Sequence, residues 1–141
     1  TETGVNDALP YPKLLVFVSF SMPAESLKAL NSQARQLGGK LVVRGLIKGR
    51  FQETAQKLKE LQIDVIIDPT LFEAYQIKSG KVLQSPTFIL RNTPTESAEE
   101  EVAFDRMTGN VSLDYVLEQF STSGETRHDA FEMLKTLRRK P

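Results

Sequence analysis

The chain has 141 residues, with 18 lysines and arginines against 18 aspartates and glutamates, no cysteine and one histidine. That length suits one domain of modest core, and 40% hydrophobic with 26% charged residues is the composition of a folded, globular chain. The counts exclude disulfides, thiolate nucleophiles and Cys-ligated metal sites, and the zero net charge argues against a general nucleic-acid binder.

No apolar run reaches the ~20 residues that span a bilayer. Thr1-Glu2-Thr3-Gly4 shows neither the charged nor the apolar region of a signal peptide. An exported protein would therefore be in its mature form with the signal removed, and a cut piece of a longer chain would start the same way. A cysteine-free chain suits an oxidising compartment.

Residues 1–12 end in Pro10-Tyr11-Pro12 and read as an extended arm. Leu14-Leu15-Val16-Phe17-Val18 is a continuous apolar run that predicts a strand buried on both faces. Ser19 to Pro23 turn the chain into a helix, with Ser21 as its expected cap. Leu27, Leu30, Ala34 and Leu37 lie at helical spacing before Gly38-Gly39 ends that helix. Leu41-Val42-Val43 predicts a second strand. A helix from about Phe51 to Leu61 would align Phe51, Ala55 and Leu58 on one apolar face, with lysines opposite.

A third strand is expected at Ile63 to Ile67 and a short helix at Leu71 to Ile77. Alternating strands and helices imply right-handed crossovers and a largely parallel sheet between helices. Thr87-Phe88-Ile89-Leu90 follows Ser85-Pro86 as a strand, with Val102-Ala103-Phe104 as its expected antiparallel partner after an acidic stretch from Asn92 to Glu101. Gly109-Asn110 then leads into a helix carrying Val111, Tyr115, Val116, Leu117 and Phe120. Thr122-Ser123-Gly124 is expected to break it before a final amphipathic helix with Phe131, Leu134 and Leu137.

This order of elements resembles the thioredoxin fold from Leu14 to Phe120, an α/β fold with a mixed central sheet flanked by helices. In that fold a Cys-x-x-C opens the helix after the first core strand, where the helix N-terminus stabilises a thiolate. The corresponding slot here is Met22-Pro23-Ala24-Glu25, and Pro86 stands where the fold places a cis-proline. Methionine forms no thiolate, so the resemblance implies a scaffold without its redox chemistry. On this reading residues 1–12 are an arm, 13–121 a thioredoxin-like domain and 122–141 a C-terminal helix.

The run Leu15 to Pro23, then Val43-Arg44-Gly45-Leu46 and Ile67-Asp68-Pro69-Thr70-Leu71-Phe72, is similar to the TrbC family. Pro86-Thr87-Phe88 and Gly109-Asn110-Val111-Ser112-Leu113-Asp114-Tyr115 continue the likeness in the same order. The resemblance implies a periplasmic pilus-assembly protein of a type-F conjugative type IV secretion system, acting with TraW, to which it is fused in some systems. It implies no catalytic residue, and no cofactor or metal is expected.

The leading expectation is a non-enzymatic interaction scaffold. Phe20, Met22 and Pro23, with Ser85 and Pro86 beside them, would form an apolar partner surface; alternatively Phe20 and Met22 pack inward as core. Phe131, Leu134 and Leu137 must cover either the domain or a partner. A serine-dependent enzyme using Ser21 is the rival from another class, although Ser19 and Ser21 have no recognisable base and His128 lies in the final helix. A holdase-like chaperone for pilin subunits is a further alternative.

The remaining polar features have bland readings. Asp64 and Asp68 read as strand ends, with Asp68-Pro69 a turn. Lys40, Arg44, Lys48 and Arg50 read as a solvated edge. Asn110-Val111-Ser112 reads as a turn and helix cap rather than a glycosylation site. Arg138-Arg139-Lys140 suits the negative end of a helix.

Overall fold

The computed structural model describes residues 11–77, 85–92 and 103–139. Its strands are β1 (Leu14–Phe17), β2 (Lys40–Val43), β3 (Val65–Ile67), β4 (Thr87–Arg91) and β5 (Phe104–Thr108). Its helices are α1 (Ala24–Gln36), α2 (Phe51–Leu61), α3 (Pro69–Ala74), α4 (Leu113–Ser123) and α5 (Arg127–Arg138). They form a mixed five-stranded sheet in the order β3-β2-β1-β4-β5, flanked by helices. β1, β2 and β3 run parallel, whereas β4 and β5 join antiparallel with Phe17 opposite Thr87 and Leu90 opposite Asp105.

The pleat divides the apolar runs between two cores. Leu14, Val16 and Val18, with Leu41, Val43, Phe88 and Leu90, face α1, α4 and α5 and the inner side of α2. Leu15, Phe17, Val42 and Ile89 face the opposite way, toward Leu71 and Phe72 of α3 and toward Ile77. Phe17 meets the Phe72 ring edge-on, with centroids 5.0 Å apart. A strand needed on both faces must be apolar at every position, which is why β1 reads as an unbroken hydrophobic run.

Gly38-Gly39 ends α1 for two separate reasons. Gly38 has a left-handed φ of +75°, and a Cβ on Gly39 would stand 2.8 Å from the Leu14 carbonyl oxygen. Asn31, buried in α1, accepts the Asp64 N–H at 3.1 Å and so fixes the entry to β3.

Several boundaries differ from expectation. β3 begins at Val65 because Ile63 N–H bonds to the Leu58 carbonyl and Gln62 is left-handed, so both belong to the end of α2. α3 starts earlier, at Pro69, because the Asp68 carboxylate caps the Thr70 and Leu71 N–H groups. β5 is Phe104–Thr108 rather than Val102-Ala103-Phe104, and Val102 lies outside the described residues, as does the acidic run from Glu96 to Glu101. Ser112 accepts the Tyr115 N–H and is the cap of α4, which leaves Val111 exposed outside the helix. α4 continues through Thr122 and Ser123, whose hydroxyls bond back to helix carbonyls, and ends at Gly124.

The buried face of α2 is also corrected: Thr54, Leu58 and Leu61 turn inward, while Phe51 and Ala55 face solvent. Thr54 is tolerated there because its hydroxyl donates to the Arg50 carbonyl and accepts the Ile47 N–H, each at 2.8 Å.

The corner between α4 and α5 is fastened by β5. Asp105 accepts the Glu125 and Thr126 N–H groups at 2.7 Å and the buried Thr126 hydroxyl at 2.5 Å. A Cβ on Gly124 would come within 2.3 Å of that carboxylate. Gly124→Ala is expected to destabilise the fold by about 1–3 kcal/mol. In an Asp105→Ala background the added methyl should cost much less, a coupling that a double-mutant cycle measured by denaturant unfolding checks. At the far end of α5, Arg138 grips both carboxylate oxygens of Asp114 at 2.8 Å and also bonds Glu118. Its hydrogen bonds hold the Asp114 carboxyl below the usual carboxylate range.

Candidate functional site

The three parallel strands end on one side of the sheet, and the chain leaves β1 there. Val18 N–H still bonds to the Val42 carbonyl at 2.9 Å, after which Met22 N–H returns to the Ser19 carbonyl at 3.0 Å and closes a turn. Ser19 Oγ accepts the Ser21 N–H at 3.2 Å and meets Ser21 Oγ at 2.8 Å. Ser21 is therefore not the helix cap. Pro23 holds that position with φ −57° and ψ 142° and no side-chain cap bond, since its ring sets the angle at which α1 begins.

Met22 is only 6% exposed and lies in the core shared by Val18, Leu27 and Leu30, with Phe20 half-buried against the same core. The inward packing considered for these residues is what the structure has. Ser21 and Pro23 remain exposed.

Continuing the β1–β4 register past Phe17 and Thr87 sets Pro86 and Ser85 beside Val18 and Ser19. Pro86 is buried, Ser85 is half-buried, and the Pro86 carbonyl accepts the Gly109 N–H at 3.1 Å. The Ser85–Pro86 bond is trans, because no cis peptide occurs among the described residues. Pro86 thus precedes β4 in the trans form.

The α5 residues belong elsewhere. Asp129, two positions before Phe131, pairs with Lys13 at 3.1 Å, at the opposite end of β1 from Ser19. Leu134 is 7% exposed and Leu137 half-buried, both against the domain's own core. Phe131 is 52% exposed, with Lys135 Nζ 5.1 Å from its ring centroid. The described side-chain partner of Ser21 is a second hydroxyl rather than a base, and His128 is exposed on α5. Among the described residues no cluster of three or more His, Cys, Asp or Glu forms a metal site.

Tyr11 was read only as part of an extended arm, yet it is tied down. Tyr11 Oη donates to Asp68 Oδ2 at 2.5 Å, and Arg91 Nη2 donates to the Tyr11 and Pro12 carbonyls at 2.8 and 3.1 Å. An aromatic between two prolines was the available signal. The bond to Asp68 pushes the Tyr11 hydroxyl above its ordinary pKa.

Bonds from Thr70, then from Tyr11, hold the Asp68 carboxyl below its ordinary range. A carboxyl lowered on folding contributes stability above its unfolded pKa and loses it as pH falls through the folded value. Asp68→Asn is therefore expected to lower stability at neutral pH and to flatten its decline below about pH 4, read by urea unfolding across pH.

The basic residues at the strand ends are partly engaged. Lys40 lies 3.9 Å from Asp64 and Arg50 lies 3.2 Å from Glu53, whereas Arg44 and Lys48 are exposed.

The sequence profile of the type-F conjugative transfer system pilin assembly proteins matches residues 16–120, which include the whole β1–α1 turn and the Ser85-Pro86 pair. The periplasmic protein TrbC of Escherichia coli (strain K12) is 30% identical over 138 residues, or 94% of the chain. The chain spans 59% of that relative's length. No solved structure matches significantly. No helix among the described residues is long and apolar enough to cross a membrane. The matched span covers nearly every element of the sheet and its flanking helices, and the chain belongs to the TrbC family of type-F conjugative pilin assembly proteins.

Proposed function

We propose that the chain is a non-enzymatic, periplasmic interaction scaffold that works in pilus assembly in complex with a TraW-like protein. Family membership supports the process, and the relative's periplasmic location supports the compartment. The observation that carries the mode of action is the β1–α1 turn. Where a thioredoxin-like enzyme would present its dithiol, Met22 is packed into the core and the chain has no cysteine.

The parallel pair β1–β2 linked through α1, followed by antiparallel β4 and β5 and then α4, supports a thioredoxin-like reading of the fold, with β3 added at the outer edge. On this reading exposed Pro23 and half-buried Phe20 and Ser85 form the rim of a partner surface, which Met22 and Pro86 shape from beneath. Leu134 and Leu137 hold α5 in place, leaving Phe131 as its accessible apolar group.

Affinity purification of the tagged chain from periplasmic extracts of cells carrying the transfer system tests the proposal. A TraW-like protein should co-purify at a one-to-one ratio. Recovery of the chain alone, or with pilin in no fixed proportion, would overturn it.

A further inference from the structure

We infer that the carboxyl end of the parallel strands, continuing onto the exposed face of α2, docks an acidic, partly apolar segment of a protein partner. This rests on the scaffold reading and names the surface and the partner's chemistry. In open α/β sheets the loops at the carboxyl ends of parallel strands are where binding sites form. Here those loops are the β1–α1 turn and residues 44–50 between β2 and α2. The second loop leads directly into Phe51.

Phe51 is 71% exposed, more than any other large apolar side chain described. Ala55 and Lys59 follow it at intervals of four residues, so the three stand in one row on the outer face of α2. Gln52, Gln56 and Glu60 border the same shallow groove. A solvent-facing helix position gains nothing for folding from a phenylalanine, so its apolar area is available to a partner.

The charge around it is one-sided. Residues 44–61, the loop and the helix it feeds, hold five basic against two acidic side chains in a chain whose total charge is zero. Arg44, Lys48 and Arg50 fall within seven residues that contain no acid. Two of the acids at this end are already engaged: Glu53 pairs with Arg50, and Asp68 is bonded by Tyr11, Thr70 and Leu71. Glu25 in the first turn of α1, Glu60 on the groove and Glu73 on α3 are the exposed acids left. Lys48 has φ +51°, a left-handed conformation that favours glycine, immediately before Gly49 at +68°. A long cation is thus held exposed in an unfavourable backbone, three residues before Phe51.

The mixture selects among macromolecules. Gln52, Gln56 and Glu60 stand with Lys59 on the groove, which suits hydrogen bonding to a polypeptide and opposes a phosphate-dense surface. One exposed aromatic is too few for the successive stacking that single-stranded nucleic acid needs. Anionic membranes call for ~4–8 clustered cations without intervening acids.

p-Benzoylphenylalanine in place of Phe51, in the full chain expressed in cells carrying the transfer system, tests this directly. Irradiation should crosslink it to one protein, with the linked peptide mapped by mass spectrometry and rich in Asp and Glu. Lys48→Glu with Lys59→Glu should reduce the yield roughly tenfold without moving the thermal midpoint. Crosslinking to phospholipid or nucleic acid, to a non-acidic peptide, or to nothing would overturn the inference, as would a yield indifferent to the charge reversals. If the TraW-like protein co-purifies while this position stays silent, the surface is wrong and the scaffold stands. If an acidic peptide of some other protein is captured, the surface stands and the named partner falls.

Discussion

Replacing Met22 with aspartate is expected to abolish the cooperative thermal transition. The side chain is 6% exposed and touches the core built by β1, α1 and α4. Truncating a buried methionine to alanine already costs about 2–5 kcal/mol, against a total of about 5–15 kcal/mol for a typical native domain. Aspartate adds the desolvation of a carboxylate with no described partner at that position, a penalty that makes the loss global rather than local. Met22→Leu keeps volume and apolarity and should cost under about 1.5 kcal/mol. Scanning calorimetry of the two variants separates the cases. A folded Met22→Asp protein with a near-native midpoint would show that the side chain reaches solvent, and would return the turn to the list of exposed contact surfaces. If the transition is lost as expected, a charged residue here cannot be used to map binding, because any lost affinity would follow from lost structure.

Removing the residues after Ser121 is expected to have an effect of comparable size. Ala130 and Leu134 are buried in the main core, with Met133 and Leu137 packed against it, and they cover Leu117 and Phe120 of α4. Each buried apolar side chain contributes about 1.5–3 kcal/mol. The truncation also leaves Asp105 without the Glu125 and Thr126 groups it fastens, and Asp114 without Arg138. The truncated chain should show no cooperative unfolding and should bind a dye that reports exposed apolar surface. Phe131→Ala, by contrast, should leave stability within about 0.5 kcal/mol, because the ring is 52% exposed. A truncated chain that still melts cooperatively would mean that α5 is a separable element, free to serve a partner.

What could be read in advance followed physical rules that act locally. β1 was legible because burial on both faces demands an unbroken apolar run, and the end of α1 because Gly38-Gly39 meets both a left-handed turn and a close approach to Leu14. The span of α2 was legible but its orientation was not. Phe51 looks like core and Thr54 like surface until the Arg50 carbonyl and Ile47 N–H satisfy the threonine hydroxyl. β5 was misplaced because an edge strand with Phe104, Asp105, Arg106, Met107 and Thr108 carries only a weak apolar alternation.

The β1–α1 turn and the start of β4 were legible in position, and the depth of their side chains was not. The motif order located the turn and the Ser85-Pro86 pair, and the family match bears out the likeness that those motifs suggested. Whether Met22 pointed outward depended on the cap. A serine cap had been expected, whereas Pro23 starts α1 without a side-chain bond, and Met22 directly before it packs inward. Tyr11 gave only the weak sign of an aromatic between two prolines, and the face bearing Phe51 gave none, since each depends on contacts, or their absence, with distant parts of the chain.

We propose that the chain binds a partner and catalyses no reaction. A calorimetric titration of the purified chain with the proposed TraW-like partner, run in parallel with Ser21→Ala, tests this. A saturable isotherm with one-to-one stoichiometry and the same affinity for both proteins is expected. No saturable heat, or a binding and turnover signal that disappears with the Ser21 hydroxyl, would contradict it.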